Sequence, residues 1–417
     1  MRDWARLDKK YVWHPFTQME EWLASELIVI EAADGNYLID TQGKRYLDGV
    51  SSLWVNVHGH TKKKIDDAIR NQLDKVAHST LLGLASQPSI ELAEKLVGIT
   101  PEPLSKVFYS DSGSTAVEVG LKIAFQYWRN RGYTDKTLFV TLSDAYHGDT
   151  IGSVSLGGID LFHSIFHPLL FHTVTIPTPF PYRYPDLSLE ECREQSLAHL
   201  REVVSDRAQQ IAAVVVEPLV QGAAGIIVHP DGFLREVWRI CRENDILLVC
   251  DEVATGFGRT GKMFAVEHEQ VQPDILCLAK GLSGGYLPLA ATLVTDEIYE
   301  AFLGKHTDYR TFFHGHSYTG NALACAAACA CLEIFEEDDV LNSLQPKINM
   351  LRNELAQRTA PLPWVGDVRQ KGLMVGIELT RDRSTKKSFS PEQRVGARVV
   401  QNVRKMGVIL RPLGDVV

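Results

Sequence analysis

Four short apolar runs in this sequence end at residues that could act together on one ligand. The run "KVFYS" precedes Asp111–Thr115, and "TLFVTL" precedes Tyr146–Thr150. The run "ILLVC" leads into Asp251–Gly261, and "DILCL" leads into Ala279–Gly281. The last segment contains Lys280, whose charge is rarely buried unless it is paired or used. A partly desolvated lysine has a lowered pKa and becomes a nucleophilic amine.

Each of these segments has a functional interpretation and a structural alternative. Gly113 and Ser114 would offer N–H groups and a hydroxyl to a phosphate at a helix N-terminus, or form a plain helix cap. Tyr146 could stack on a flat ligand or pack in the core. Asp251 could hold a cationic ring nitrogen, cap a helix or bind a metal. Lys280 alone could be a surface lysine that extends its amine into water.

The four segments together favour the functional interpretation. A phosphate cradle, a ring-stacking aromatic side chain, a carboxylate and an amine are the groups that hold an aldehyde-bearing phosphorylated pyridine. We therefore expect Lys280 to carry pyridoxal 5'-phosphate (PLP) as a Schiff base. Asp251 would keep the pyridine nitrogen protonated, so that the ring acts as an electron sink.

The surrounding pattern indicates which elements position these groups. Near-continuous apolar runs from about residue 105 alternate with amphipathic segments such as "STAVEVGLKIAFQYW", which predicts an α/β fold with a mostly parallel sheet covered on both faces. Ligands bind such sheets at the carboxyl ends of the strands. Residues 26–50 read as antiparallel hairpins, and "VRQKGLMVGIEL" as a strand. We predict an N-terminal segment (1–60) that contributes to the small domain and the active site, a large PLP-binding domain (61–334) and a small α+β domain (335–417).

Composition narrows the class of protein. The chain has 417 residues and a net charge of −9, which argues against nucleic-acid binding. No apolar stretch reaches membrane-spanning length, and the N-terminus lacks the apolar segment of a secretion signal. We therefore expect a cytoplasmic protein without a membrane partner. Seven scattered cysteines do not indicate disulfides, and Cys325, Cys329 and Cys331 are expected to be buried on an alanine-rich helix rather than to bind metal.

At this point the sequence resembles a known family. The motif "DEVATGFGRTG", followed by a lysine 29 positions after its aspartate in "LAKGLSGGYLPLAA", is similar to the class III (omega) aminotransferases of PLP fold type I. The resemblance runs along the whole chain. Within the class, four segments are most similar to members that act on 7-keto-8-aminopelargonate (8-amino-7-oxononanoate) in biotin biosynthesis. They are "YVWHPFTQM" (11–19), "SSLWVNVHGH" (51–60), "DSGSTAVEVGLKIAFQYW" (111–128) and "HGHSYTGNALACAAA" (314–328).

The resemblance implies a role for particular residues. The catalytic residues would be Lys280, Asp251 and Tyr146, and no metal would be bound. A homodimer with shared active sites is implied, in which the loop at residues 315–317 reaches the partner's phosphate. The cofactor would be held by Gly113, Ser114, Tyr146, His147, Glu217, Asp251, Val253, Lys280, Gly315, His316 and Ser317. The substrate would be held by Phe16, Trp54, Tyr146, Lys280, Gly315 and Arg411.

The resemblance also implies the reaction, with some alternatives open. We expect an aminotransferase that makes 7,8-diaminopelargonate. The alternatives are another omega-aminotransferase (for ornithine, 4-aminobutyrate or a diamine), a PLP aminomutase, and a protein that binds ligand without turnover. The presence of both Asp251 and Lys280 argues against the last of these. The donor is S-adenosylmethionine or lysine, because "HGHSYTGN" replaces the frequent "HGPTFMGN" and occurs among lysine users. Phe16 and Leu53 replace the tyrosine and second tryptophan of other members. Members usually continue beyond the Arg411 motif, so the protein is either naturally short or truncated here, and we expect an incomplete small domain.

Overall fold

The computed structural model describes residues 2–184 and 186–417. The strands are, in chain order, β1 (Ile30–Asp34), β2 (Tyr37–Asp40), β3 (Arg45–Asp48), β4 (Leu104–Ser110), β5 (Leu138–Leu142), β6 (Val174–Ile176), β7 (Ile211–Val216), β8 (Val220–Gln221), β9 (Ile227–Val228), β10 (Leu247–Asp251), β11 (Ile275–Leu278), β12 (Ala290–Thr295), β13 (Val365–Lys371), β14 (Met374–Leu379) and β15 (Val408–Ile409). The helices are α1 (Trp4–Tyr11), α2 (Met19–Ala24), α3 (Ser51–Trp54), α4 (Lys63–Leu73), α5 (Gln87–Ile99), α6 (Gly113–Asn130), α7 (Ile151–Ser155), α8 (Asp160–His163), α9 (Leu189–Arg207), α10 (Phe233–Glu243), α11 (Asp296–Glu300), α12 (Ala322–Glu337), α13 (Val340–Glu354) and α14 (Val395–Lys405).

The centre of the molecule is a seven-stranded sheet in the order β4-β12-β11-β10-β7-β5-β6. The neighbours β11, β10, β7, β5 and β6 pair in parallel, whereas β12 runs antiparallel to both β11 and β4. All six residues of β7 are buried, as expected for a strand covered on both faces. The predicted α/β fold with a mostly parallel sheet is confirmed.

Alternate strand residues pack against different helices, because side chains along a strand point to opposite faces. Val215, Val249 and Cys277 share one apolar cluster with α6. Val214 and Leu248 belong to the other cluster, which includes buried residues of α5, α9, α10 and α12. The helix α6 has nine buried residues on its apolar stripe, so burial of this stripe fixes its N-terminus at the sheet edge.

Three smaller sheets accompany the large one, and the smallest is the antiparallel pair of β8 and β9. Strands β1, β2 and β3 form the predicted antiparallel hairpins, and β15 joins them in parallel beside β3. The segment expected to be one strand, "VRQKGLMVGIEL", is instead the hairpin of β13 and β14. The chain reverses at Gly372, whose φ of +62° suits glycine and whose Cβ would lie 2.3 Å from the Thr260 carbonyl carbon.

The cysteines behave as predicted from their surroundings. All seven are free and buried, and Cys325, Cys329 and Cys331 lie on α12. Over residues 2–184 and 186–417, no group of three His, Cys, Asp or Glu side chains has the geometry to hold a metal ion. In the same part of the chain, none of the helices is both long enough and apolar enough to span a bilayer.

Candidate active site

A cavity of about 680 Å³ opens at the carboxyl ends of the parallel strands. All four segments singled out in the sequence contribute to its wall, as expected for strand ends that meet at one sheet edge. The structure therefore brings together most of the predicted site residues. Those lining the cavity are Trp54, Gly113, Ser114, Tyr146, His147, Glu217, Asp251, Val253 and Lys280.

The N-terminus of α6 faces this cavity. Ser112 caps the helix, and its Oγ accepts a hydrogen bond of 3.3 Å from the Thr115 N–H. The N–H groups of Gly113 and Ser114, in the first turn, have no acceptor within the helix and are free to bind an anion. A Cβ on Gly113 would lie 2.5 Å from Val253 Cγ1, so only glycine fits there.

The Ser114 hydroxyl is already engaged within the chain. It accepts a hydrogen bond of 3.0 Å from the Thr150 N–H and lies 2.8 Å from Thr150 Oγ1. This contact ties the loop after β5 to the start of α6. Gly148, with a φ of +123°, allows the close approach, because a Cβ there would lie 2.3 Å from Ser114 Oγ.

A buried pair of side chains forms the floor of the cavity. Asp251 Oδ2 lies 2.7 Å from His147 Nδ1, and Asp251 Oδ1 accepts a hydrogen bond of 3.0 Å from the Val253 N–H. Burial by itself lowers the pKa of His147, but the hydrogen bond and charge of Asp251 outweigh burial and the net shift is upward. The pair thus places a carboxyl group and an imidazole in direct hydrogen-bond contact in a site with little water.

Glu217, which follows β7, fastens two loops beside this pair. Its Oε1 accepts a 3.0 Å hydrogen bond from the Tyr146 N–H, and its Oε2 accepts a 2.8 Å bond from the Gly222 N–H. Burial raises the pKa of Glu217 to about 7. The Glu217 carboxyl group therefore holds the backbone on which the Tyr146 ring is mounted.

Lys280 lies directly after β11, at the start of a short helical turn and with a φ of +48°. Its Nζ is 4.8 Å from the centre of the Trp54 ring. Burial lowers the pKa of Lys280 to about 8, against the opposing charges of Asp251 and Glu217. The strained backbone and the lowered pKa are both typical of a functional position.

A row of aromatic rings connects the cavity to Arg411. The Tyr146 ring is 6.4 Å from the Phe162 ring, which is 5.5 Å from the Phe16 ring. The Arg411 guanidinium carbon lies 5.7 Å from the centre of the Phe16 ring. The Tyr146 hydroxyl donates a 2.8 Å hydrogen bond to Asp149 Oδ2. Phe16 and Arg411 thus lie next to the cavity wall.

Gly315, His316 and Ser317 are not among the described residues that line the cavity, although Asp111, which His316 approaches, does line it. The Ser317 carbonyl accepts a hydrogen bond of 2.7 Å from His78, and His316 Nε2 is 4.0 Å from Asp111 Oδ1. Their predicted contact with a partner's phosphate remains a prediction.

Some residues of the site carried no assignment from the sequence. Asp149 and Thr150 lie directly after Tyr146 in the motif "YHGDT", so a search for polar neighbours of Tyr146 and Ser114 could have found them. Phe162 has no sequence signal, because its place beside Phe16 and Tyr146 depends on the fold of the loop after β5.

Comparison with known proteins agrees with this geometry. Residues 19–417 match the model of the family "Aminotransferase class-III". A curated relative from Nitratidesulfovibrio vulgaris is 59% identical over 98% of this chain and 76% of its own length. Another, from Geobacter sulfurreducens, is 51% identical over 100% of this chain and 92% of its own. Both are named adenosylmethionine-8-amino-7-oxononanoate aminotransferase.

Solved structures give the same result. The crystal structure of adenosylmethionine-8-amino-7-oxononanoate aminotransferase from Methanocaldococcus jannaschii superimposes with a TM-score of 0.94 at 48% identity, over 99% of this chain and 92% of that one. A thermostable (S)-enantioselective omega-transaminase from Thermomicrobium roseum gives 0.94 at 35% identity, with the same shares covered. The chain belongs to the class III aminotransferases.

Proposed function

We propose that this protein transfers an amino group to 8-amino-7-oxononanoate and so makes 7,8-diaminopelargonate for biotin biosynthesis. The observation that carries the proposal is the placement of the Lys280 amine, the Asp251–His147 pair and the N-terminus of α6 around one cavity. That placement supplies aminotransferase chemistry. The shared name of relatives that align over nearly the whole chain supports the substrate.

The residues present fit PLP. The free N–H groups at the start of α6 suit its phosphate, and the glycines at 113 and 148 allow Val253 and Ser114 to pack closely around this helix start. The buried Asp251 carboxylate suits its protonated ring nitrogen, and the Lys280 amine suits its aldehyde. His147 Nε2 is buried without a hydrogen-bond partner in the described chain, as expected beside a site for a polar ligand. When bound, PLP acts as an electron sink that stabilises negative charge on the substrate carbon.

Lys280 serves as the attachment residue and as the proton carrier. Its amine would hold the cofactor through the aldehyde. When free, the same amine would move a proton at the substrate carbon that bears nitrogen, as general base and then as general acid. A pKa of about 8 suits both directions near neutral pH, because proton carriers work best when their pKa is close to the operating pH.

Asp251 would hold the ring nitrogen of the cofactor, and His147 would hold Asp251 in place. The 2.7 Å hydrogen bond between His147 and Asp251 fixes the orientation of the carboxyl group. Tyr146 covers the ring, held in place by the contact of its N–H with Glu217 and of its hydroxyl with Asp149.

Phe16, Trp54 and Arg411 form the substrate channel. Guanidinium binds carboxylate through two parallel hydrogen bonds, so Arg411 is suited to the carboxylate end of the keto acid. The apolar chain between the carboxylate and the reacting carbonyl would pass along Phe16 and Trp54. Phe16 lies next to Arg411, and Trp54 lies next to Lys280.

We also propose a homodimer with shared active sites, in which the loop of Gly315, His316 and Ser317 completes the phosphate site of the partner. That these three residues do not line the cavity of their own chain supports the idea, although His316 comes within 4.0 Å of the lining residue Asp111. A cytoplasmic location is proposed from the seven free cysteines, which suit a reducing compartment.

A donor screen tests the function. The purified protein, loaded with PLP, is given 8-amino-7-oxononanoate with S-adenosylmethionine, lysine, ornithine, 4-aminobutyrate or a diamine, and 7,8-diaminopelargonate is measured by mass spectrometry. We expect product with S-adenosylmethionine, as the names of the relatives suggest, or with lysine. Lys280→Ala is the control without turnover. Product with neither donor, combined with rapid turnover of ornithine or 4-aminobutyrate, would overturn the proposal.

A further inference from the structure

The β8–β9 loop, residues 222–226, is a strained part of the cavity wall. Ala223 lines the cavity, and a Cβ on Gly222 would lie 3.3 Å from Trp54 Cζ3. The loop is closed by hydrogen bonds from the N–H groups of Gly225 (3.2 Å) and Ile226 (3.0 Å) to the Gly222 carbonyl. Gly225 has a φ of +111° and Ile226 a φ of +55°. A β-branched residue rarely adopts a positive φ, so contacts from outside must hold the loop in this shape.

Arg369, on β13, supplies these contacts. The side chain is buried, and its Nε donates hydrogen bonds of 3.0 Å to the carbonyls of both Gly225 and Ile226. Its Nη2 donates a further bond of 2.6 Å to the Gly225 carbonyl. A planar guanidinium fork suits two successive carbonyls, whereas an ammonium group is a single point charge. Arg369 is not among the described residues that line the cavity, so it acts on the cavity through the loop.

The surroundings of Arg369 complete its hydrogen bonds. Nη1 donates to Asp367 Oδ2 (3.0 Å), and Nη2 donates to Glu378 Oε2 (2.7 Å). On β14, a Cβ at Gly376 would lie 2.8 Å from the Gly225 carbonyl oxygen, so glycine is needed for the loop to approach the hairpin. A buried cation bound to carboxylates on one side and to carbonyls on the other is costly to disturb. The contact between loop and hairpin is therefore a rigid one.

The same hairpin holds the segment that follows Arg411. The Leu379 N–H donates to the Asp415 carbonyl (2.9 Å). Ile377 and Val417 exchange two hydrogen bonds, of 2.8 Å from the Ile377 N–H and 3.0 Å from the Val417 N–H. Strand β14 thus pairs with the chain only a few residues beyond Arg411. The position of Arg411 depends on this pairing.

The cavity wall and the Arg411 segment are therefore attached to one hairpin. They also approach each other, because a Cβ on Gly225 would lie 3.0 Å from Val416 Cγ2. We propose that Arg369 is a positioning residue that ties the β8–β9 loop to the hairpin and thereby fixes the length of the substrate channel between Lys280 and Arg411. This role rests on the proposed function, which places the substrate carboxylate at Arg411 and the ketone at Lys280.

The first test measures hydrogen exchange of the PLP-loaded protein by mass spectrometry and needs no substrate. In Arg369→Met, the amides of the β8–β9 loop should exchange at least about tenfold faster, because the loop loses its outside contacts. Arg369→Lys keeps the charge but not the fork, so it should speed exchange by a smaller factor. Exchange of the loop at the parent rate in Arg369→Met would overturn the proposal.

Lys136→Met is the matched control for general stability. Lys136 is also a buried cation bonded to backbone carbonyls, those of Ala208, Ile211 and Asp245. None of these is among the described residues that line the cavity. The substitution should lower Tm and leave exchange of the β8–β9 loop unchanged. Equal acceleration in Lys136→Met and Arg369→Met would reduce Arg369 to a general structural residue and overturn the proposal.

The second test measures selection for substrate length. The keto acid is compared with 7-amino-6-oxooctanoate and 9-amino-8-oxodecanoate, which have one methylene less or more between carboxylate and ketone. In Arg369→Met, kcat/KM for 8-amino-7-oxononanoate should fall about tenfold and that for the two homologues less than about threefold, because a channel of unfixed length selects less well. The single-turnover rate with the donor should stay within about twofold of the parent, since the donor does not need the Arg411 end.

The results separate the inference from the proposed function. If the parent converts none of the three keto acids, the proposed function fails, and the exchange rates still decide whether Arg369 holds the loop. If the parent prefers 8-amino-7-oxononanoate and Arg369→Met loses the same factor on all three, the channel length does not depend on Arg369. That outcome would overturn the inference and leave the proposed function standing.

Discussion

At the scale of single residues, the proposed role of Lys280 depends on the protonation of its amine. Burial disfavours the charged form, so the pKa of Lys280 falls from that of an ordinary lysine to about 8. Only the neutral amine can attack the aldehyde of PLP. Below pH 8 most of the amine is therefore protonated and inactive, and above pH 8 most of it is free.

We predict that the rate at which the cofactor-free protein captures PLP rises with pH and reaches half its maximum near pH 8. Stopped-flow absorbance at a series of pH values measures this rate, with a lysine peptide as the reference for an unburied amine. A half-maximum at the pH of the peptide would show that the environment of Lys280 does not lower its pKa.

The Asp251 carboxylate yields a second prediction at this scale. A neutral amide cannot keep the ring nitrogen of PLP protonated, and it offers His147 no negative partner. Asp251→Asn should therefore keep the fold but slow the single-turnover reaction with donor by orders of magnitude. The control is Asp231→Asn, at an exposed side chain outside the cavity. A loss below about tenfold, or roughly 1.4 kcal/mol, would count against the assigned role.

At the scale of elements, the placement of strand ends was predictable and the shape of loops was not. The apolar runs that became β4, β5, β7, β10 and β11 are continuous in the sequence, so the segments after them were expected at one sheet edge. The residues from Ser51 to Trp54 all have positive φ, yet they include no glycine, asparagine or aspartate to mark that conformation, and Arg259, which donates a hydrogen bond to Ser51, is distant in sequence. The antiparallel strand β12 was missed because its apolar run follows the Lys280 loop directly.

The domain boundaries at 60/61 and 334/335 stay predictions. Strand β15 near the C-terminal end pairs with β3, so residues from both ends of the chain share one sheet. This pairing supports an N-terminal segment that belongs with the small domain.

Lys136 is a structural lysine that joins three elements. Its buried amine donates hydrogen bonds to the carbonyls of Ala208 (3.1 Å), Ile211 (3.1 Å) and Asp245 (2.6 Å). These carbonyls lie after α9, at the start of β7 and before β10. The ammonium group thus gives a hydrogen-bond donor to three backbone carbonyls that are shielded from water.

We predict that Lys136→Met lowers the free energy of unfolding by about 2–4 kcal/mol, because it leaves buried carbonyls without donors. KM for both substrates should stay unchanged, since Lys136 is remote from the cavity-lining residues. Urea unfolding measures the loss, and Lys347→Met on the exposed side of α13 is the control. A loss equal to that of the control would refute the bridging role.

At the scale of the whole molecule, the proposed dimer divides each active site between two chains. The loop of Gly315, His316 and Ser317 could be assigned from the sequence only by resemblance, because its partner atoms belong to another chain. Hybrid dimers test the division. Lys280→Ala is mixed, by unfolding and refolding together, with a His316→Ala/Ser317→Ala double variant.

In a twofold dimer, half of the randomly paired molecules are hybrids, and each hybrid holds one complete site. We therefore expect roughly a quarter of the parent activity from two inactive parents. Refolding each variant alone is the control. Absence of recovery while sedimentation shows hybrid dimers would place the loop outside the partner's site.

The transfer of an amino group from donor to keto acid is tested most directly by isotopic labelling. The PLP-loaded protein is given 8-amino-7-oxononanoate and a donor whose amino nitrogen carries a heavy isotope, and the 7,8-diaminopelargonate formed is examined by mass spectrometry. We predict that the product gains one labelled nitrogen, at the carbon that bore the ketone, and that Lys280→Ala forms none. Product without label, or conversion of the keto acid in the absence of donor, would contradict amino transfer and indicate an isomerisation.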